Sequence, residues 1–423
     1  MFDFILKGIL RDRSRSLLPI ILIATGVLVT SLYYSFIRGY ERIAIDSSAR
    51  FDTGHVKVMT RAYAEEADQR PYDLCLLGAE ELLVELQANY PDLNWYERIQ
   101  FGGLVDVPDE QGETIVQGES AAMAVDLSAG SDELKLLNLK AALREGRLPQ
   151  EPDEVVLSTG LFKKLGIKLG SDLSLITATM YGGMAVGNFR VTGVAEFGIP
   201  VLDRGMLLLD ISDARRLLDM EDGVGEILGI YKDNEYNWDK AQAIADAFTA
   251  GHADPADEFS AVMLPLHKQG DMGSMLVWMR GAIFIIIGFF VFIMGLVLWN
   301  LGLINGIRRY GEMGLRLAIG ESAGHIYGSL VLEALLIGLL GSIIGTSGGV
   351  AFGYWLQNHP FDMSHYLTNA TVMMSPDISA DVNWFSYVIG FIPGFLATLM
   401  GAGFAGLAVF KRNTASLFKE LEN

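Results

Sequence analysis

Residues 281–307 read GAIFIIIGFFVFIMGLVLWNLGLINGI, a run without a single charge, and Arg308 and Arg309 follow at once. A hydrocarbon core of about 30 Å takes about 20 helical residues to cross, so this run is long enough to span a membrane. Three other stretches meet the same test: 17–37, 326–356 (uncharged apart from Glu333) and 384–410, where Pro393 predicts a kink. Basic residues lie just outside one end of each: Lys7, Arg11, Arg13 and Arg15 before the first, Arg308, Arg309 and Arg316 between the second and third, and Lys411, Arg412 and Lys419 after the fourth. Cations near span ends mark the cytoplasmic side. The expected order is therefore a cytoplasmic N-terminus (1–16), a span (17–37), a large outer domain (38–280), a span (281–307), a cytoplasmic connection (308–325), a span (326–356), an outer connection (357–383), a span (384–410) and a cytoplasmic tail (411–423). Arg38 and Arg280 fall at outer span ends, where long side chains snorkel to water.

Composition fits this division. The 423 residues have a mean hydropathy of +0.31 and yet a net charge of −19. The charge is concentrated: residues 41–272 hold 20 basic and 41 acidic residues, and the remainder is nearly balanced. No segment has the positive excess that phosphate contacts need, which excludes a nucleic-acid partner. Cys75 is the only cysteine, which excludes an intrachain disulfide and a cysteine-built zinc site. There is no GxxxxGK[ST] loop and no HExxH, so neither ATP binding by a Walker loop nor a familiar hydrolytic centre is expected, and no metal site is expected.

Within 38–280, strand and helix signals interleave, which predicts an α+β domain in two subdomains. Strands are expected at 54–60, 154–157, 172–177, 188–195 and 225–231, with Val56 and Val58 on one face of the first. Helices are expected at 79–90, stopped by Pro91, at 158–165, ended by Gly166, at 212–218, capped by Ser212, and at 237–250. The segment 178–187 (ATMYGGMAVG) joins two strands, and its Met180, Tyr181, Gly182, Gly183 and Met184 form either a simple turn or a docking hairpin for a partner.

The 308–320 segment, RRYGEMGLRLAIG, mixes cations, one carboxylate and small residues in a connection too short to be a domain. Glu312 and Arg316 stand four apart, on one face of a short helix. Lipid headgroups are one expected neighbour of such a basic connection. Beyond it, Gly341, Gly345 and Gly349 repeat at four-residue spacing, which lets a helix approach closely, within the chain or across a dimer. Glu333 lies near the start of the third span, where a carboxylate costs roughly 2.5–3.5 kcal/mol at most.

RRYGEMGLRLAIGESAGHIYGSLVLEALLIGLLGSIIG resembles the R-x-x-E-[IM]-G-x-x-x-A-x-G…E…G-x-x-x-G segment of permeases of the MacB, FtsX and LolC/LolE superfamily of ABC transporters. The stretches TGHVKV (53–58), GRLP (146–149), EVVLS (154–158), LGIKLG (165–170) and FRVTGV (189–194) are similar to the outer domain of the same proteins. The resemblance implies four transmembrane helices in a 1+3 layout, with a MacB-like α+β periplasmic core domain inserted between the first and second. It implies a non-catalytic subunit in the inner (cytoplasmic) membrane, with ATP and Mg bound by a separate dimer of ATPase subunits. Arg308, Arg309, Glu312, Met313, Gly314, Arg316 and Gly320 would then couple to that ATPase, and Glu333, Gly341, Gly345 and Gly349 would serve helix packing or dimerisation. The further implied partners are a second permease copy or paralogue, membrane lipid, a lipoprotein or other amphipathic cargo, and a periplasmic carrier or adaptor. The implied work is release of cargo by transmitted motion. The other reading within the superfamily is FtsX-like signalling to a cell-wall hydrolase, without transport.

Overall fold

The computed structural model describes residues 13–109, 111–308, 310–362 and 377–410. The expected tail 411–423, Arg309 and most of the connection 357–383 lie outside them. Among the described residues, four helices are long and apolar enough to cross a membrane. They begin with α1 (Arg13–Ser48). The sheet-bearing region that follows carries α2 (Ala79–Asn89), α3 (Thr159–Leu165), α4 (Ile211–Leu218) and α5 (Trp238–His252). Next come α6 (Gly270–Arg308), α7 (Tyr310–Ala318), α8 (Ala323–Asn358), α9 (Trp384–Ile389) and α10 (Phe391–Phe410). The chain divides into a membrane unit (Met1–Arg42, Trp278–Phe361, Ile378–Asn423) and a sheet unit (Ile43–Val277, Asp362–Asp377).

Helix ends and span ends differ. α1 continues beyond residue 37 to Ser48, and α6 begins at Gly270 rather than 281. Hydropathy marks where apolar residues stop, whereas a helix continues as long as its backbone bonds and side-chain pairs permit. The continuation of α1 holds such a pair, Arg38–Glu41 at 2.7 Å. Near the other end, the fourth span is broken at Gly390. Pro393 accounts for the break, because its ring meets the carbonyl four residues back, that of Ile389.

In the membrane unit α8 packs on two neighbours through glycines. A Cβ at Gly341 would lie 2.8 Å from Ile23, one at Gly349 would lie 2.9 Å from Leu28 O and Ser31, and one at Gly345 would strike Ala24 O. Gly338, Gly390 and Gly394 make equally close approaches to Thr398, Thr346 and Ser342. Small residues thus let α1, α8, α9 and α10 touch backbone to backbone. Buried hydroxyls line the same seams: Ser31 Oγ donates to Ser386 O at 3.0 Å, and Thr398 Oγ1 to Gly394 O at 3.0 Å. The spans are therefore not free of polar groups, but these hydroxyls are packed against glycine.

The sheet unit contains β1 (Val56–Thr60), β2 (Leu76–Leu77), β3 (Leu93–Pro108), β4 (Thr114–Val125), β5 (Leu143–Gly146), β6 (Glu154–Ser158), β7 (Asp172–Ala178), β8 (Met184–Ala195), β9 (Met206–Asp210), β10 (Gly223–Val224), β11 (Glu226–Tyr231) and β12 (Ala261–Pro265). Ten of these form one sheet, ordered β12-β1-β11-β3-β4-β9-β6-β8-β5, with β7 bridging β3 and β8. The pairings β3–β4–β9–β6–β8–β7–β3 close a ring of six strands. Only the first half of β3 pairs with β11. Two sheet regions therefore share one long strand within one compact unit, where the sequence suggests two subdomains.

Three local expectations need correction. β1 is buried on both faces, so Lys57 points inward as much as Val56 and Val58 do. The cap of α4 is Asp210, two residues before Ser212, and its carboxylate accepts from the Ser212 amide at 2.9 Å. The segment 178–187 is mostly ladder, because Ala178 already pairs with Met184.

Candidate functional site: the α7 connection

α7 sits between α6 and α8 and ends in a defined stop. Glu321 N donates to Arg316 O at 3.1 Å and Gly320 N to Leu317 O at 3.1 Å, the paired bonds of a Schellman turn. Gly320 occupies the turn position at φ +97°, where a side chain would be strained. Ser322 then caps α8, its hydroxyl accepting from the His325 amide at 3.4 Å. Gly320 thus has a structural reason for being glycine.

Arg316 reaches forward rather than back toward Glu312. Its Nε and Nη2 each lie 2.6 Å from the two carboxylate oxygens of Glu321, and its Nη1 lies 3.5 Å from Ser329 Oγ. The guanidinium holds the Glu321 carboxyl below its usual range. This two-point pair fixes the angle between α7 and the start of α8. Met313 is buried, so it anchors α7 from below. Glu312 and Gly311 are exposed, and a Cβ at Gly311, Gly314 or Gly320 would meet nothing within 4 Å. These glycines differ from the packed ones of α8: the space beside them is open. Arg308 ends α6.

Two residues that the sequence reading passed over complete the exposed face. Leu315 is 67% and Ile319 77% exposed. They stand four apart, so they form one apolar strip beside Glu312 and Gly311. The available signal was an i, i+4 aliphatic pair in a connection otherwise short and charged.

The other expected site residues are dispersed. Glu333 lies half-buried in α8. The Gly341, Gly345 and Gly349 stripe packs against α1 of the same chain. At the β7–β8 turn, Thr179 N donates to Gly183 O at 2.7 Å and Gly182 takes φ +79°. Met180 packs on the main core, while Tyr181, Met184 and Val186 are exposed. A five-residue turn is what 179–183 forms, without a projecting arm. Arg38 and Arg280 do not merely snorkel: both bond Glu41, at 2.7 and 3.0 Å, and Glu41 is 2% exposed.

The FtsX-like permease C-terminal family matches residues 284–414, which contain α7 and the helices around it. Members of this family are non-catalytic transmembrane subunits. The chain is 23% identical over 259 residues to the lipoprotein-releasing system transmembrane protein LolC of Xylella fastidiosa (strain Temecula1), covering 59% of this chain and 60% of that protein. It spans, then, about 60% of the length of that curated relative. It is also 31% identical over 70 residues to the macrolide export ATP-binding/permease protein MacB 1/2 of Paracoccus denitrificans, covering 16% of this chain and 10% of that protein. Among solved structures, the periplasmic region of MacB from Actinobacillus actinomycetemcomitans is similar at 13% identity and a TM-score of 0.34, covering 52% of this chain and 91% of that one.

Proposed function

We propose that this chain is the transmembrane subunit of an ABC transporter, with α7 docking on a separate ATPase dimer that holds ATP and Mg. The observation that carries the reading is the strip of Leu315 and Ile319 on a helix fixed by the Arg316–Glu321 pair and the Gly320 turn. Burying two such side chains on a partner is worth roughly 1.5–3 kcal/mol each before ordering costs. Open space at Gly311 and Gly314 admits a partner's side chains close to the helix backbone. Both termini and α7 are cytoplasmic in this reading, and the sheet unit is extracytoplasmic. ATP-driven closure of the ATPase pair shifts the spans, and the sheet unit moves to release a lipoprotein or another amphipathic cargo outside the membrane. Similarity to LolC supports the lipoprotein choice.

The test is purification of the chain from its native membranes with nucleotide trapped, followed by mass spectrometry. An ABC ATPase with acylated lipoprotein peptides is the expected outcome. An ATPase with a cell-wall hydrolase and no cargo would move the reading to FtsX-like signalling. Leu315→Asp and Ile319→Asp should abolish ATPase recovery while the chain still inserts. Unchanged recovery in both variants would assign the strip to lipid instead.

A further inference from the structure

Residues 49–53 follow directly on α1, and Gln269 directly precedes α6. The first of these is a single turn of π-helix, Ala49–Thr53, a rare form that leaves carbonyls free for other donors. Three buried side chains take them. Arg98 Nη2 donates to Arg50 O at 3.0 Å, Gln100 Nε2 to Phe51 O at 3.2 Å, and Gln269 Nε2 to Thr53 O at 3.1 Å. Gln269 Nε2 also donates to Leu264 O at 2.9 Å, tying the end of β12 to the same point. The π-turn closes on Gly54, whose φ of +60° and ψ of −177° belong to glycine alone, and a Cβ there would lie 2.5 Å from Val56 O. Arg98 is itself fixed by Glu133 at 2.5 Å, with neither side chain more than 2% exposed.

Ordinary packing would not single out these carbonyls. One amide, Gln269, bridges the chain leaving α1 and the chain approaching α6, and two side chains of β3 anchor the same turn to the strand shared by both sheet regions. We infer that Gln269, Arg98 and Gln100 are positioning residues: they form a clasp through which movement of α1 and α6 is delivered together into β3. This rests on the transporter reading above. Without the clasp the two helices pull on separate, compliant loops, and the sheet unit no longer follows them.

Gln269→Leu tests it with little collateral change, since the Gln269 Oε1 makes no hydrogen bond and only the two donated bonds are lost. Spin labels at Val84→Cys and Gly281→Cys, both exposed positions, report the distance between the two units in the full complex with its ATPase in a bilayer. In the otherwise unsubstituted chain the distance should change on ATP with vanadate. In Gln269→Leu the change should be lost, while ATP hydrolysis by the partner continues. Gln269→Asn, one methylene too short to span both carbonyls, should behave alike and serves where the leucine variant does not accumulate. A full distance change in either variant overturns the clasp. No ATP-dependent change in the unsubstituted chain overturns the transporter reading and the clasp with it.

Discussion

Glu154 shows how much one carboxylate can organise. It accepts from Arg147 Nη1 at 2.6 Å and Nη2 at 2.5 Å, and from the amides of Gln150 at 2.9 Å and Glu151 at 3.2 Å, closing the loop that leads into β6. The Arg147 bonds, then those amides, hold its carboxyl at about 2, against an ordinary value of 4.5. A folded value below the unfolded one means the stabilisation is complete above about pH 4.5 and is lost as pH falls toward 2. Melting of the chain across that window should show the sheet-unit transition falling with pH, and Glu154→Gln should start lower and flatten the slope. An unchanged slope would mean the loop is held otherwise. Lys57 is the opposite lesson. Alternation along 54–60 reads it as outward, yet β11 and β12 flank β1 and both its faces are covered, so Lys57 pairs with Glu226 at 2.6 Å inside the unit. Strand period reveals which residues share a face; it says nothing about whether the other face is also buried. Lys57→Met alone should cost about 3–5 kcal/mol by stranding a buried carboxylate, and adding Glu226→Leu should return most of it, measured by denaturation of the purified chain.

At the scale of elements, the same residue type performs two different tasks. Glycines of α8 face the backbone of α1, where a side chain has no room; glycines of the α7 connection face open space. The sequence displays both as glycine-rich helix, and only the four-residue spacing of Gly341, Gly345 and Gly349 hints at the first. Gly345→Leu should force α1 and α8 apart and destabilise the membrane unit by about 1–3 kcal/mol or more, seen as lost thermal stability in detergent. Gly314→Leu should fold as the parent does, but abolish ATP-driven activity if α7 docks on the proposed ATPase. Full activity of Gly314→Leu would leave α7 without a partner on that face. Capping chemistry was readable in part because it is local: Gly166 does end α3, whereas the cap of α4 is Asp210, two residues before Ser212. The exposed Leu315 and Ile319 were not, because exposure depends on where α8 starts and on the Arg316–Glu321 pair that fixes it.

For the whole molecule, the segregation of apolar and acidic residues is legible without any structure, since hydropathy and charge act on stretches of chain. The sheet order is not. β4 lies parallel to β9 and β6 parallel to β8, pairings between strands far apart in the chain that carry no short-range signal, and the ring closes only through β7. The same segregation predicts the proposed orientation. Residues 41–272, with 41 acidic and 20 basic residues, are expected to cross to the outside more readily than a connection carrying Arg308, Arg309 and Arg316, because cations near span ends resist translocation and carboxylates contribute little. Cys75 is buried, and burial pushes its thiol up to about 11, so a membrane-impermeant thiol reagent leaves the parent chain unlabelled. Against that silent background, Asp239→Cys at the start of α5 should label in intact cells, whereas Glu312→Cys on α7 should label only after the membrane is opened. The reverse pattern would put α7 outside, beyond reach of any cytoplasmic ATPase, and the proposed coupling would fall with it.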